Sequence, residues 1–175
     1  VHIRTDAHGR MDVRELERMC AEMQADAAHP QGVPLIVCAT SGTTVLGAFD
    51  DVAAIAEVCR KYNLWLHVDA SWGGAAAFLP HDAPERSVLA GLENAHSITI
   101  NPHKLLGVTH QCSFLLVHDK SVLIPPSHSD GGYLFHVPAE DALDMATKTL
   151  GCGRRGDALK FYLVWLRYGT HGLSA

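Results

Sequence analysis

The sequence predicts an α/β fold, a mostly parallel sheet flanked by helices. Short apolar runs alternate with stretches of helical periodicity, short connections join them, and three of the runs stop abruptly in polar clusters. The chain has 175 residues, 47% of them hydrophobic and 19% charged, which suits one core and a single region over 1–175. It carries no internal repeat or low-complexity tract.

Val1-His2-Ile3-Arg4 reads as the tail of a strand, so the N-terminal end, like the C-terminal Gly172 to Ala175, reads as cut. After a turn at Asp6 to Arg10, Met11, Val13, Leu16, Met19, Cys20 and Met23 recur at helical spacing behind Asp12 as N-cap, predicting a helix to about Gln24. Leu35 to Ala39 is an apolar run of the kind buried on both faces of a parallel sheet. Thr40-Ser41-Gly42-Thr43-Thr44 follows, and Asp50-Asp51 caps a second helix with Val52, Ile55, Ala56, Val58 and Cys59 inward, ending near Tyr62-Asn63.

Leu64 to Val68 is the next strand, closed by Asp69. A small-residue stretch, Gly73 to Ala77, and a polar segment, Pro80 to Glu85, lead through a short helix to the strand Ser97 to Ile100, which ends in Asn101-Pro102-His103-Lys104. Gln111 to Val117 is a further strand. From Asp119 to about Ala142 the chain is rich in Pro, Gly, Ser and His and reads as a long functional loop. The last element, about Arg155 to Tyr168, is a helix with Leu159, Tyr162, Leu163 and Leu166 on one stripe. The aromatic set Phe161, Tyr162, Trp165 and Tyr168 reads as core or subunit contact.

Composition narrows the function. Fourteen basic against 19 acidic residues leave a net charge of −5, so neither a nucleic-acid nor an anionic-membrane surface is expected. No apolar run approaches the roughly 20 residues that cross a bilayer. Five cysteines without paired spacing, four of them in apolar runs or helical patterns, point to a reducing compartment. No basic and apolar leader is visible. The scattered histidines form no ligand spacing, so no metal site is expected.

In parallel sheets ligands bind outside the carboxyl ends of the strands, where Thr40 to Thr44, Asp69 and Asn101 to Lys104 converge. Alone, Lys104 reads as a solvated surface lysine and Asp69 equally as a turn residue. Together they suggest one chemistry. Pyridoxal phosphate needs a lysine to hold its aldehyde as an imine and an acid to keep its pyridine nitrogen protonated. His67, two residues before Asp69, points to the same sheet face and reads as a satisfied core histidine.

Four blocks, Ala39 to Asp50, Leu66 to Gly74, Asn101-Pro102-His103-Lys104 and Cys152-Gly153-Arg154-Arg155, stand in an order and spacing that resembles the group II pyridoxal-phosphate-dependent amino acid decarboxylases. The resemblance is strongest to the glutamate and cysteine-sulfinate, or acidic amino acid, branch. It implies the large domain of a type I, aspartate aminotransferase-like fold, with an upstream segment and a small C-terminal domain lying outside this chain. It implies a cytoplasmic lyase of amino acid metabolism, a homodimer with active sites at the subunit interface, acting on glutamate, cysteine sulfinate or aspartate. The isolated piece is expected to be inactive. By the same resemblance Lys104 holds the cofactor aldehyde, Asp69 pairs with the ring nitrogen, Thr44 lies by the ring, and Asn101 and His103 lie near the phosphate. Arg154 grips a substrate carboxylate, for which a guanidinium supplies a two-donor fork. Tyr133, in the long loop, delivers a proton to the α-carbon, from its own or the neighbouring subunit. The rivals are an aromatic amino acid decarboxylase, which uses the same cofactor constellation, and a non-catalytic relative that only binds a partner.

Overall fold

The computed structural model describes residues 1–26, 32–123 and 155–174. A helix α1 (Val13–Ala25) precedes strand β1 (Ile36–Thr40), helix α2 (Val52–Tyr62) and strand β2 (Trp65–Asp69). Three short 3-10 turns (Gly73–Phe78, Pro84–Leu89, Leu92–Asn94) lead to β3 (Ser97–Ile100), then come β4 (Phe114–Val117), a further 3-10 turn (Lys120–Leu123) and α3 (Asp157–Leu173). The four strands form one sheet in the order β1-β2-β3-β4. β1, β2 and β3 are parallel and β4 runs antiparallel, so the sheet is mostly parallel as expected. The antiparallel return fits a β3–β4 connection without a helix.

The caps hold as the sequence implies. Asp12 accepts from the backbone N–H groups of Arg14 and Glu15, Asp51 accepts from that of Ala54, and Asn63 closes α2 in the left-handed conformation (φ 54°). Asp50, read with Asp51 as a cap, does something else: its carboxylate accepts from the backbone of Met11 at 2.6 Å and of Thr40 at 2.7 Å, tying the N-terminal turn to the end of β1. All five predicted inward residues of α2 are buried. They join Leu16 and Cys20 of α1, Val37 and Ala39 of β1 and Leu66 and Val68 of β2 in one core. Burying each such side chain contributes on the order of 1.5–3 kcal/mol.

Four expectations need correction. Residues 1–4 are not a strand; the nearest pairing is an isolated bridge between Thr5 and Met11. β1 is buried on one face only: Val37 and Ala39 lie under the helices, while Ile36 and Cys38 are exposed on the other side, because α1 and α2 supply apolar partners to a single face. Cys38 is therefore an exposed thiol, whereas Cys20, Cys59 and Cys112 are buried. Burial, helped by neighbouring Cys20, pushes the Cys59 thiol up to about 11. Cys152 lies outside the described residues. Finally, Leu159, Tyr162, Leu163 and Leu166 of α3 are exposed, and Tyr168 with them. The helix instead docks through Phe161 and Trp165, whose rings meet Phe78 at 6.0 and 5.8 Å, with Phe161 also 5.6 Å from Phe114. Of that aromatic set, Phe161 and Trp165 make ring contacts within the chain, Trp165 while still 37% exposed. A residue's step around a helix is about 100°, so contacts made at 161 and 165 turn the 159–163–166 stripe away.

Candidate active site

The carboxyl ends of β1, β2 and β3 converge, and each delivers a polar turn. At β1, the Ser41 N–H donates to the carbonyl of Asp69 (2.8 Å), which carries the parallel ladder one residue past the strands. Gly42 takes φ 88°, a left-handed conformation that suits glycine, and the N–H groups of Gly42 and Thr43 both donate to Ala48. The Thr43 hydroxyl accepts from the Ala48 N–H (2.9 Å), which closes the turn and leaves Thr44 exposed on its outer side. Gly73, opening the turn after β2, presses on this loop: a Cβ there would lie 2.3 Å from the Ser41 carbonyl oxygen and 2.4 Å from the Phe49 ring. The two turns pack backbone to backbone.

Asp69 ends β2 in register with Thr40 on one side and Thr99 on the other. Its carboxylate is exposed at the strand tip and accepts from the Ser71 N–H at 3.0 Å. Partial burial, the largest single influence, pushes this carboxyl upward. Hydrogen bonds from the Ser71 side chain and backbone, with the positive charges of Lys104 and His67, outweigh it and hold Asp69 below the ordinary carboxylate range. Asp69 is therefore an anion at neutral pH, and Lys104 is close enough to act on it.

The third turn is Asn101 to Lys104. The Lys104 N–H donates to the Asn101 carbonyl (2.9 Å), Pro102 is buried beneath, and the Val108 N–H donates to the Pro102 carbonyl (3.1 Å). The Asn101 side-chain oxygen accepts from the Ser113 hydroxyl, and His103 Nδ1 accepts from the Cys112 N–H at 3.0 Å. One edge of each side chain is thus fixed to the strand-4 approach. His103 Nδ1 also lies against the Cys112 carbonyl oxygen, and the opposite edges, Asn101 Nδ2 and His103 Nε2, are left for a ligand. The Lys104 ammonium lies 5.1 Å from the centre of the Trp72 ring. Among the described residues no carboxylate comes within ion-pair distance of it.

His67 is satisfied, as expected, and the manner is informative. Its Nδ1 meets the Ser97 hydroxyl at 2.8 Å and its Nε2 the Thr99 hydroxyl at 3.3 Å, both on β3. Ser97 also accepts from the Trp65 indole N–H (2.9 Å). Sequence reasoning gave Trp72 no role; the signal available was one large ring in an otherwise small-residue turn, three positions after Asp69. Thus Asp69, Asn101, His103 and Lys104 come together on one rim, with Thr44 on the outside of the neighbouring turn. Tyr133 and Arg154 lie outside the described residues. Arg155 is exposed. Among the described residues no set of three His, Cys, Asp or Glu side chains could hold a metal ion, and no helix is long and apolar enough to cross a membrane.

A mostly parallel α/β sheet that brings an amine and a carboxylate to adjacent strand ends suits the class of protein that carries its chemistry on a bound carbonyl cofactor. Residues 1–175 match the pyridoxal-dependent decarboxylase conserved domain from end to end, and the chain belongs to that family. It is 45% identical over 175 residues to human cysteine sulfinic acid decarboxylase, covering 98% of this chain and 34% of that protein. It is 44% identical over 175 residues to an L-aspartate decarboxylase of Metarhizium robertsii, covering 99% and 34%. Among solved structures, mouse CSAD superposes with a TM-score of 0.81 at 44% identity, over 98% of this chain and 34% of that one. The chain spans about a third of the length of the curated relatives it matches.

Proposed function

We propose that the protein to which this chain belongs is a pyridoxal-5'-phosphate-dependent decarboxylase of an acidic L-amino acid, releasing the amine and CO2. The observation that carries the reading is the pairing of Asp69 and Lys104: adjacent turns, opposite charges, a lysine close enough to help keep the carboxylate ionised, and no direct ion pair between them. The donor set fits the cofactor. It offers an amine for the aldehyde, an anionic carboxylate for the ring nitrogen, and Asn101 and His103 with one edge free for a phosphate. When bound, the cofactor supplies a ring that accepts the electron pair left on the substrate α-carbon as CO2 departs.

The chain's own residues do the rest. Lys104 would hold the aldehyde end of the cofactor, its amine being the nucleophile for that carbonyl. Asp69, kept ionised by Ser71 and by nearby positive charge, holds the proton on the ring nitrogen. Thr44 borders the ring from the β1 turn. Arg154 clamps the carboxylate of the substrate side chain, and Tyr133 brings a proton to the α-carbon while its loop excludes water. Residues 1–175 are part of the large, cofactor-binding domain. The working unit is a cytoplasmic homodimer whose active sites lie at the subunit interface, and residues 1–175 alone are inactive.

The test is an absorption spectrum of the full-length protein with pyridoxal phosphate, before and after borohydride, with peptide mapping of the modified lysine. Label on Lys104 is expected; label elsewhere, or no uptake, defeats the reading. Parallel assays with glutamate, cysteine sulfinate, aspartate and aromatic amino acids then separate the acidic from the aromatic branch.

A further inference from the structure

We propose that Trp72 is the positioning residue for Lys104: its indole face holds the free ammonium and keeps it from collapsing onto Asp69. This rests on the reading of Lys104 as the reactive amine. A lysine and an aspartate on neighbouring turns attract each other and would ordinarily close into an ion pair. Here the Asp69 carboxylate takes the Ser71 N–H, and the Lys104 ammonium lies 5.1 Å from the Trp72 ring centre. The aromatic face offers the cation a partner that is neutral overall, so the amine stays near the carboxylate without neutralising it.

The backbone of Trp72 is held in place by the turn that carries it. The Gly73 N–H donates to the Ser41 carbonyl (3.0 Å) and the Gly74 N–H to the Ala70 carbonyl (2.8 Å), while the Ala75 N–H reaches back to the Trp72 carbonyl. Gly73 has no room for a Cβ against Ser41 and Phe49, so the turn cannot shift toward β1. The Lys104 turn is closed by its own hydrogen bond to Asn101 over buried Pro102. Two hydrogen-bonded turns therefore fix the backbones from which ring and amine project.

The test uses the full-length protein free of cofactor. Lys104→Ala is expected to change tryptophan emission, because an ammonium over an indole quenches it by excited-state proton transfer. In a Trp72→Phe background the same substitution should leave the emission of the other tryptophans unchanged. In a second measurement, acetic anhydride labelling of Lys104 at constant pH is followed by peptide mass spectrometry. In an Asp69→Asn background, which leaves the released ammonium no carboxylate to close onto, Trp72→Leu should label about 2- to 5-fold faster than Asp69→Asn alone, the range expected for losing a cation held over a partly exposed ring. Trp72→Tyr, which retains an aromatic face, should stay close to the parent. Unchanged emission on removing Lys104, or equal or slower labelling on adding Trp72→Leu to Asp69→Asn, overturns the proposal. Neither readout needs cofactor or turnover, so a failure here is distinguishable from Lys104 failing to take up pyridoxal phosphate.

Discussion

The two faces of the sheet do different work, although the same three parallel strands build both. On one face Val37, Ala39, Leu66 and Val68 are 7%, 0%, 0% and 0% exposed and meet α1 and α2. On the other, Cys38 and Thr40 of β1, His67 and Asp69 of β2, and Ser97 and Thr99 of β3 stand side by side in register. Side chains alternate along a strand, so one residue's step separates the stability of the domain from its chemistry. Substitutions on the first face should therefore act on folding, and those on the second and its rim on cofactor and turnover.

The largest effect expected is at the rim. Lys104→Ala in the full-length protein should abolish decarboxylation and borohydride-trapped label while the far-ultraviolet circular dichroism stays native; residual turnover would break the division. Asp69→Asn comes next. It should lower kcat by about 10- to 100-fold, the kinetic equivalent of one charge-assisted hydrogen bond of about 1.5–3 kcal/mol, and leave the thermal midpoint nearly unmoved. On the covered face, Leu66→Ala should reverse that pattern, costing about 2–5 kcal/mol in denaturant unfolding and sparing the cofactor spectrum of the molecules that remain folded. If it removed cofactor binding at undiminished stability, the two faces would not be separable.

The smallest effect concerns acid. The Glu15 carboxyl, hydrogen-bonded by Arg18 and Arg4, is lowered from 4.5 to about 2 in the folded chain. Between those values the unfolded chain binds more protons than the folded one. The stabilisation is therefore complete above pH 4.5 and is lost as pH falls through about 2. Glu15→Gln should flatten this acid limb in a pH series of thermal melts and leave the midpoint at pH 7 only slightly changed, because exposed ion pairs contribute little.

How much was legible depended on whether a residue's partner was close in sequence. α2 could be read to within a residue at each end because its cap, the five inward positions and its close near Tyr62-Asn63 are one local pattern. α3 could be read as a helix, yet its docking side could not, since that side is set by Phe78 and Phe114, distant in the chain, and their rings select Phe161 and Trp165. The same holds in the site. Asp69 and Lys104 stood out as polar residues closing apolar runs. Nothing in the order of residues placed Trp72 over Lys104 or the hydroxyls of Ser97 and Thr99 on His67.

By itself the sequence determined the elements, their alternation and the polar clusters at their ends, because periodicity, capping and turn chemistry act over a few residues. It also determined the family, through four blocks in order. Only the tertiary structure decided which face of β1 is covered, which side of α3 docks, and that the lysine rests on a ring while its carboxylate turns to a backbone N–H. Those outcomes depend on contacts between segments tens of residues apart, whose geometry exists only once the strands are in register and the turns are packed.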